Sequence, residues 1–173
     1  MSVVADYLDR LSEIYFSGAG VKETSYYPAF STFLEALGDD LTPKVKLLSH
    51  PNNKGAGIPD GGLFSSETLR RNTDGLPFEG LTPDRGVIEL KPFDYDLQKL
   101  ALSDQTTKYL ERYGAVLVSN FWAFQLITKD ENGQIRYEEK FQLAENFTAF
   151  KDALRKPNIL SAQKGQALAE YLR

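Results

Sequence analysis

The chain has 173 residues, 42% hydrophobic and 25% charged, and 20 basic residues against 24 acidic ones give a formal net charge of −4. A chain of this length buries roughly 70% of its unfolded surface and needs no covalent staple. With no cysteine and one histidine, His50, it excludes disulfides, thiol nucleophiles, iron–sulfur clusters and multi-histidine metal sites, leaving carboxylates, lysines and hydroxyls for any chemistry and a hard, oxygen-bound cation for any metal.

Ser2–Leu11 carries Asp6, Asp9 and Arg10 where an export peptide would be apolar, and runs such as Ala115–Val118 are short for a membrane span, so a cytoplasmic location is expected. Val3, Val4, Tyr7, Leu8, Leu11, Ile14 and Tyr15 recur at helical spacing, and Ser17–Gly20 stops that first helix. A second helix is predicted from Pro28, with Thr24 or Ser25 as cap. Its buried stripe is Phe30, Phe33, Leu34 and Leu37, and Gly38 ends it. Strands are predicted at 44–49, 58–64, 86–91, 115–119 and 122–128. Asp130-Glu131-Asn132-Gly133 predicts a hairpin joining the last of these to 135–143. Ser65–Arg85 lacks periodicity and reads as a long surface loop or insertion. Residues 97–113 read as a helix, as do 145–154 and, beyond Pro157, 159–173. The order predicts an α/β sandwich with a mixed central sheet flanked by helices.

Three segments carry chemistry: Gly57-Ile58-Pro59-Asp60, Val87-Ile88-Glu89-Leu90-Lys91 and Gln105-Thr106-Thr107-Lys108-Tyr109. Side chains alternate along a strand, so Glu89 and Lys91 share a face. If the strands of Asp60 and Glu89 are neighbours, the two acids can share a divalent cation, with the Leu90 carbonyl as a third oxygen. Lys91 beside it would hold an attacking water or offset charge developing on a phosphate. Two acids, one metal and one lysine suffice to hydrolyse a phosphodiester.

This pattern resembles the PD-(D/E)XK nuclease superfamily, with Pro59-Asp60 as the first half, Glu89-Leu90-Lys91 as the second, and Gln105 and Tyr109 matching its QxxxY helix motif. Lys22-Glu23-Thr24-Ser25-Tyr26-Tyr27-Pro28-Ala29 resembles the opening helix of amino-terminal nuclease domains in restriction enzymes fused to an adenine-specific DNA methyltransferase, types ISP and IIG. The resemblance runs from about Glu23 to Thr128. It implies a restriction-endonuclease-like αβββαβ core and a Mg2+-dependent endonuclease in which Mn2+ substitutes. Asp60, Glu89 and the Leu90 carbonyl would bind metal, Lys91 would be catalytic, Gln105 would support it, and Glu23 would be an accessory acid. The implied partners are double-stranded DNA, the helicase, methyltransferase and target-recognition regions of a longer parent, and a transient second nuclease domain on DNA. A role in phage defence in a bacterial or archaeal cytoplasm follows. On this reading 1–156 is the nuclease domain, with 65–85 inserted, and 157–173 is a connector. Asp60 and Glu89 stand unusually far apart because of the insertion, and nothing in the chain resembles a methyltransferase.

Several residues have plainer readings. Pro59-Asp60-Gly61-Gly62 alone would be a turn, and Glu23 either ligates a second metal or its water or complements a helix amino terminus. Gln105, Lys108, Tyr109 and Arg112 share one helical stripe. It is either aimed at the site, with Gln105 orienting Lys91 or a phosphate, or turned to solvent. Lys54, Arg70 and Arg71 are the other candidates for DNA contact. His50 reads as an exposed loop residue, and Phe121, Trp122 and Phe124 read as core. Pro83-Asp84 and Glu138-Glu139-Lys140 repeat fragments of the motif on the wrong elements. Competing functions are a catalytically silent module for DNA binding or assembly, and a standalone repair or junction nuclease.

Overall fold

The computed structural model describes residues 2–71 and 80–173. Helix α1 (Val3–Ser17) is capped by the Ser2 hydroxyl, which accepts the Ala5 N–H at 3.1 Å. A 3-10 turn (Thr24–Tyr26) leads directly into α2 (Tyr27–Asp39). Neither expected cap serves α2, and the Ser25 hydroxyl instead accepts the Val21 N–H in the preceding loop. The predicted stripe Phe30, Phe33, Leu34 and Leu37 is buried. It is joined by Tyr7, which stacks on Phe33 at 4.4 Å and donates its hydroxyl to the Phe121 carbonyl at 2.7 Å. Gly38 lies inside α2 rather than ending it. A Cβ there would stand 2.2 Å from the Val45 carbonyl oxygen, so glycine lets the helix approach the first strand.

The strands are β1 (Val45–Ser49), β2 (Gly61–Ser65), β3 (Val87–Leu90), β4 (Ala115–Ser119), β5 (Ala123–Lys129), β6 (Ile135–Tyr137) and β7 (Phe141–Gln142). They form one sheet in the order β1-β2-β3-β4-β5-β6, with β7 on the other half of β5. Every pair is antiparallel except β3–β4. The expected strand over 58–64 begins only at Gly61, and the expected 135–143 strand is interrupted at Glu138–Lys140. The expected helix over 97–113 is two helices, α4 (Leu97–Ala101) and α5 (Asp104–Tyr113). The Ser103 hydroxyl accepts the Thr106 N–H and starts the second afresh. The 65–85 insertion opens with the end of β2 and a short helix, α3 (Ser66–Leu69). Its part from 72 to 79 lies outside the described residues.

The order α2-β1-β2-β3-α5-β4 is the αβββαβ core of a restriction-endonuclease-like fold. Phe121, Trp122 and Phe124 are buried in the core, the Trp122 indole donating to the Phe93 carbonyl at 2.8 Å. Helices α6 (Phe147–Leu154) and α7 (Pro157–Leu172) close the body, and α7 lies along α1, burying Leu160, Gly165 and Leu168. Among the described residues no helix is long and apolar enough to cross a membrane.

Candidate metal centre

The candidate centre forms where the β2–β3 ladder ends. Gly61 pairs with Ile88 and Gly62 with Val87, and beyond that pair no further ladder step forms. Along β2 the even-numbered residues bond β1, as in the His50 N–H to Asp60 carbonyl bond at 3.0 Å. The odd-numbered ones bond β3, as in the Leu63 N–H to Gly86 carbonyl bond at 2.9 Å. The next residue due to pair with β3 is therefore position 59, opposite Leu90. Residue 59 is proline and has no N–H to give the Leu90 carbonyl. The Leu90 N–H is taken instead by the Asp60 side chain, donating to Oδ2 at 2.7 Å. On β3 the Lys91 N–H turns to β4, bonding the Ser119 carbonyl at 3.0 Å. Leu90 thus presents its backbone polar groups to the gap between the parted strands. Proline ends the ladder, and aspartate takes up the amide it exposes.

Three acids and a lysine meet at this gap. Glu89 is buried, and its carboxylate accepts from Lys91 Nζ at 3.0 Å. Burial raises the Glu89 pKa first and the charge of Asp60 raises it further, against the opposing effect of Lys91. Burial alone would lower Lys91, but the Glu89 carboxylate beside it, with Glu23 and Asp60 beyond, holds its pKa above the ordinary value. Lys91 is therefore an ammonium, not a base. The Tyr27 hydroxyl lies between Glu23 Oε1 at 2.5 Å and Asp60 Oδ1 at 3.0 Å. Burial and these two carboxylates drive its pKa far up, so it stays protonated. His50 is exposed, as expected, yet it borders the site. Its ring stacks on Tyr27 at 5.9 Å and Nε2 stands 4.0 Å from Asp60 Oδ1. Its backbone is left-handed, φ 49°, where non-glycine residues are uncommon.

Helix α5 serves the site differently from the expectation. The Gln105 amide nitrogen donates to the Ala56 carbonyl at 2.7 Å rather than orienting Lys91. Arg112 Nε donates to the Lys54 carbonyl at 2.8 Å, and Asn53 Oδ1 accepts from the amides of Gly55 and Gly57. Gly57, at φ 102°, packs where a Cβ would meet the Gln105 amide at 3.2 Å. The helix thus latches the 53–57 loop that delivers Pro59 and Asp60. Tyr109 is 3% exposed, with no surface to offer a nucleic acid; burial raises its pKa, and Glu89 and Asp60 raise it further. Lys108 and Arg112 are exposed on the same helix. Lys54 Nζ donates to the Gly80 carbonyl at 2.6 Å. Arg70 and Arg71 follow α3, beyond the end of β2 opposite Asp60, a strand's length from the site at about 3.3 Å per residue. Asp84 is occupied elsewhere, accepting from the Ser65 amide and hydroxyl at 2.8 and 2.7 Å.

Among the described residues no cluster of three or more His, Cys, Asp and Glu side chains is arranged to enclose an ion. The donors are two carboxylates and a backbone carbonyl, all hard oxygens. That set fits Mg2+, which keeps several waters and takes one or two carboxylates plus phosphate oxygens. Sequence reasoning found the acids and the lysine but missed Tyr27 as their link. The four-residue spacing from Glu23 to Tyr27 is visible in the sequence, but the contact of Tyr27 with Asp60 that completes the link depends on the tertiary fold.

The architecture is that of the restriction-endonuclease-like folds. Among solved structures, a chain of a cryo-EM DrdV–DNA complex matches with a TM-score of 0.58 and 19% identity, over 90% of this chain and 94% of that one. No family model and no curated protein matches the chain.

Proposed function

We propose that this chain is a Mg2+-dependent endonuclease domain that hydrolyses phosphodiester bonds of double-stranded DNA, with Mn2+ as a substitute, inside a larger restriction–modification polypeptide. The observation that carries the reading is the meeting of Asp60, Glu89 and Lys91 where β2 parts from β3. The likeness to a chain solved in complex with DNA supports the choice of substrate. A bound cation would supply Lewis acidity toward the phosphate and a more acidic water. Asp60, Glu89 and the Leu90 carbonyl hold it. Lys91, kept cationic, orients the attacking water and offsets charge growing on the phosphate oxygens. An acidic chain has little grip on DNA of its own, so the helicase, methyltransferase and target-recognition regions of the parent bring the substrate. One site attacks one strand, and a second nuclease domain cuts the other.

Asp60→Asn and Lys91→Ala should each abolish Mg2+-dependent nicking of supercoiled plasmid while leaving the circular-dichroism melt cooperative. Nicking that survives either change sinks the assignment. The Lys91–Glu89 ion pair favours a second reading, a silent nuclease-fold module whose lysine neutralises the acid in place of a cation. On that reading Mn2+ or Ca2+ leaves the melting temperature unchanged, whereas a cation bound only by the folded state raises it.

A further inference from the structure

Tyr27 has one hydroxyl hydrogen and two carboxylates within reach of it. Its ring has little freedom to choose another partner: one face stacks on His50, and the ring also packs against buried Phe121 at 6.2 Å. Asp60 is fixed from the opposite side, because its Oδ2 accepts the Leu90 N–H. Glu23 is different. It precedes the 3-10 turn, its side chain makes no cap bond there, and among the described residues its carboxylate is held by the bond to Tyr27. Without that hydroxyl the Glu23 carboxylate would face the negative charge of Asp60 with nothing between them, and it would turn to solvent.

We propose that Tyr27 is a positioning residue that ties Glu23 to the Asp60 carboxylate and so makes Glu23 a working part of the cation site. This rests on the metal-dependent reading above. The phenol lies between the two acids and donates its one hydrogen to one or the other. Glu23 keeps its second oxygen for a water of the cation. Tyr27 itself touches neither metal nor phosphate and acts only through the two carboxylates. Hydrogen-bond partners of this kind typically change metal affinity by about 10-fold or more when removed.

The test is calorimetric titration of the full chain with Mg2+ and Ca2+, in parallel with metal-free melting curves, for the native protein, Tyr27→Phe, Glu23→Gln and the double variant. Each single change should weaken the cation by about the same factor, roughly 10-fold. The double variant should lose no more than either single one, because Tyr27→Phe frees the Glu23 carboxylate and Glu23→Gln discharges it, so either change alone already takes Glu23 out of the site. Metal-free melting should stay cooperative in all four. Titration below the melting transition keeps the comparison valid if Tyr27→Phe also softens α2. A native protein that binds the cation alongside an unchanged Tyr27→Phe overturns this inference alone, as do losses that multiply in the double variant. A native protein that binds no divalent ion overturns it together with the reading beneath it.

Discussion

Glu89 shows how a single side chain carries the tension of the site. A buried carboxylate facing Asp60 is better accommodated neutral than charged, so its folded pKa lies above its unfolded one. Its contribution to stability is therefore full below the unfolded carboxylate range, about 4.3. It declines as pH rises through the raised folded value and stays low above it. In chelator, Glu89→Gln should melt above the native protein at pH 8. The gain should shrink as pH falls toward the ordinary carboxylate range and vanish below it. A native protein that melts higher than Glu89→Gln at pH 8 would mean that Lys91 fully neutralises the acid. Glu89 and Lys91 were legible in the sequence because strand alternation alone puts both on one side of β3. Tyr27 and His50 were not, since their part depends on how α2 and the end of β1 meet Asp60, a contact no local pattern encodes.

At the scale of elements, the motifs fell at the ends of the expected strands, with Asp60 just before β2 and Lys91 just after β3, and these boundaries were decided by hydrogen-bond parity. Pro59 is the clearest case. Read as sequence it presets a turn; in the sheet it withholds the one N–H that would close the ladder onto Leu90. Pro59→Ala restores that donor, lets β2 and β3 zip one pair further and engages the Leu90 carbonyl. The expected result is an unchanged or higher metal-free melting temperature with Mg2+ affinity down by about 10-fold. Equal affinity in titration would show that the carbonyl plays no part. Helix α5 was similarly half-legible. Its stripe Gln105, Tyr109 and Arg112 does face the site side of the fold, yet Gln105 and Arg112 spend their donors on the carbonyls of Ala56 and Lys54. The break before it, by contrast, is written locally in Ser103, whose hydroxyl outcompetes continuation of one long helix.

Across the whole molecule, the αβββαβ core was what the resemblance implied, whereas an α/β sandwich with a mixed sheet was readable because hydrophobic periodicity switches between helix and strand. Sheet order and the parallel β3–β4 pair were not, being set by which edges the long connection through α4 and α5 can reach. The close seat of α2 on β1 at Gly38 ties remote parts of this body together. Gly38 and Tyr27 stand at opposite ends of one helix, about 16 Å apart at 1.5 Å per residue. A methyl group at 38 has no room against the Val45 carbonyl, and a rigid rod lifted at one end must tilt at the other. Gly38→Ala should therefore lower the melting temperature, by an overpacking cost of about 1–3 kcal/mol, and weaken Mg2+ binding as well. A melting loss with untouched cation affinity would show that the rod bends. If it tilts, the geometry of the candidate centre is governed from the far side of the domain, and a partner pressing on that distant shoulder would hold a throttle on any chemistry there.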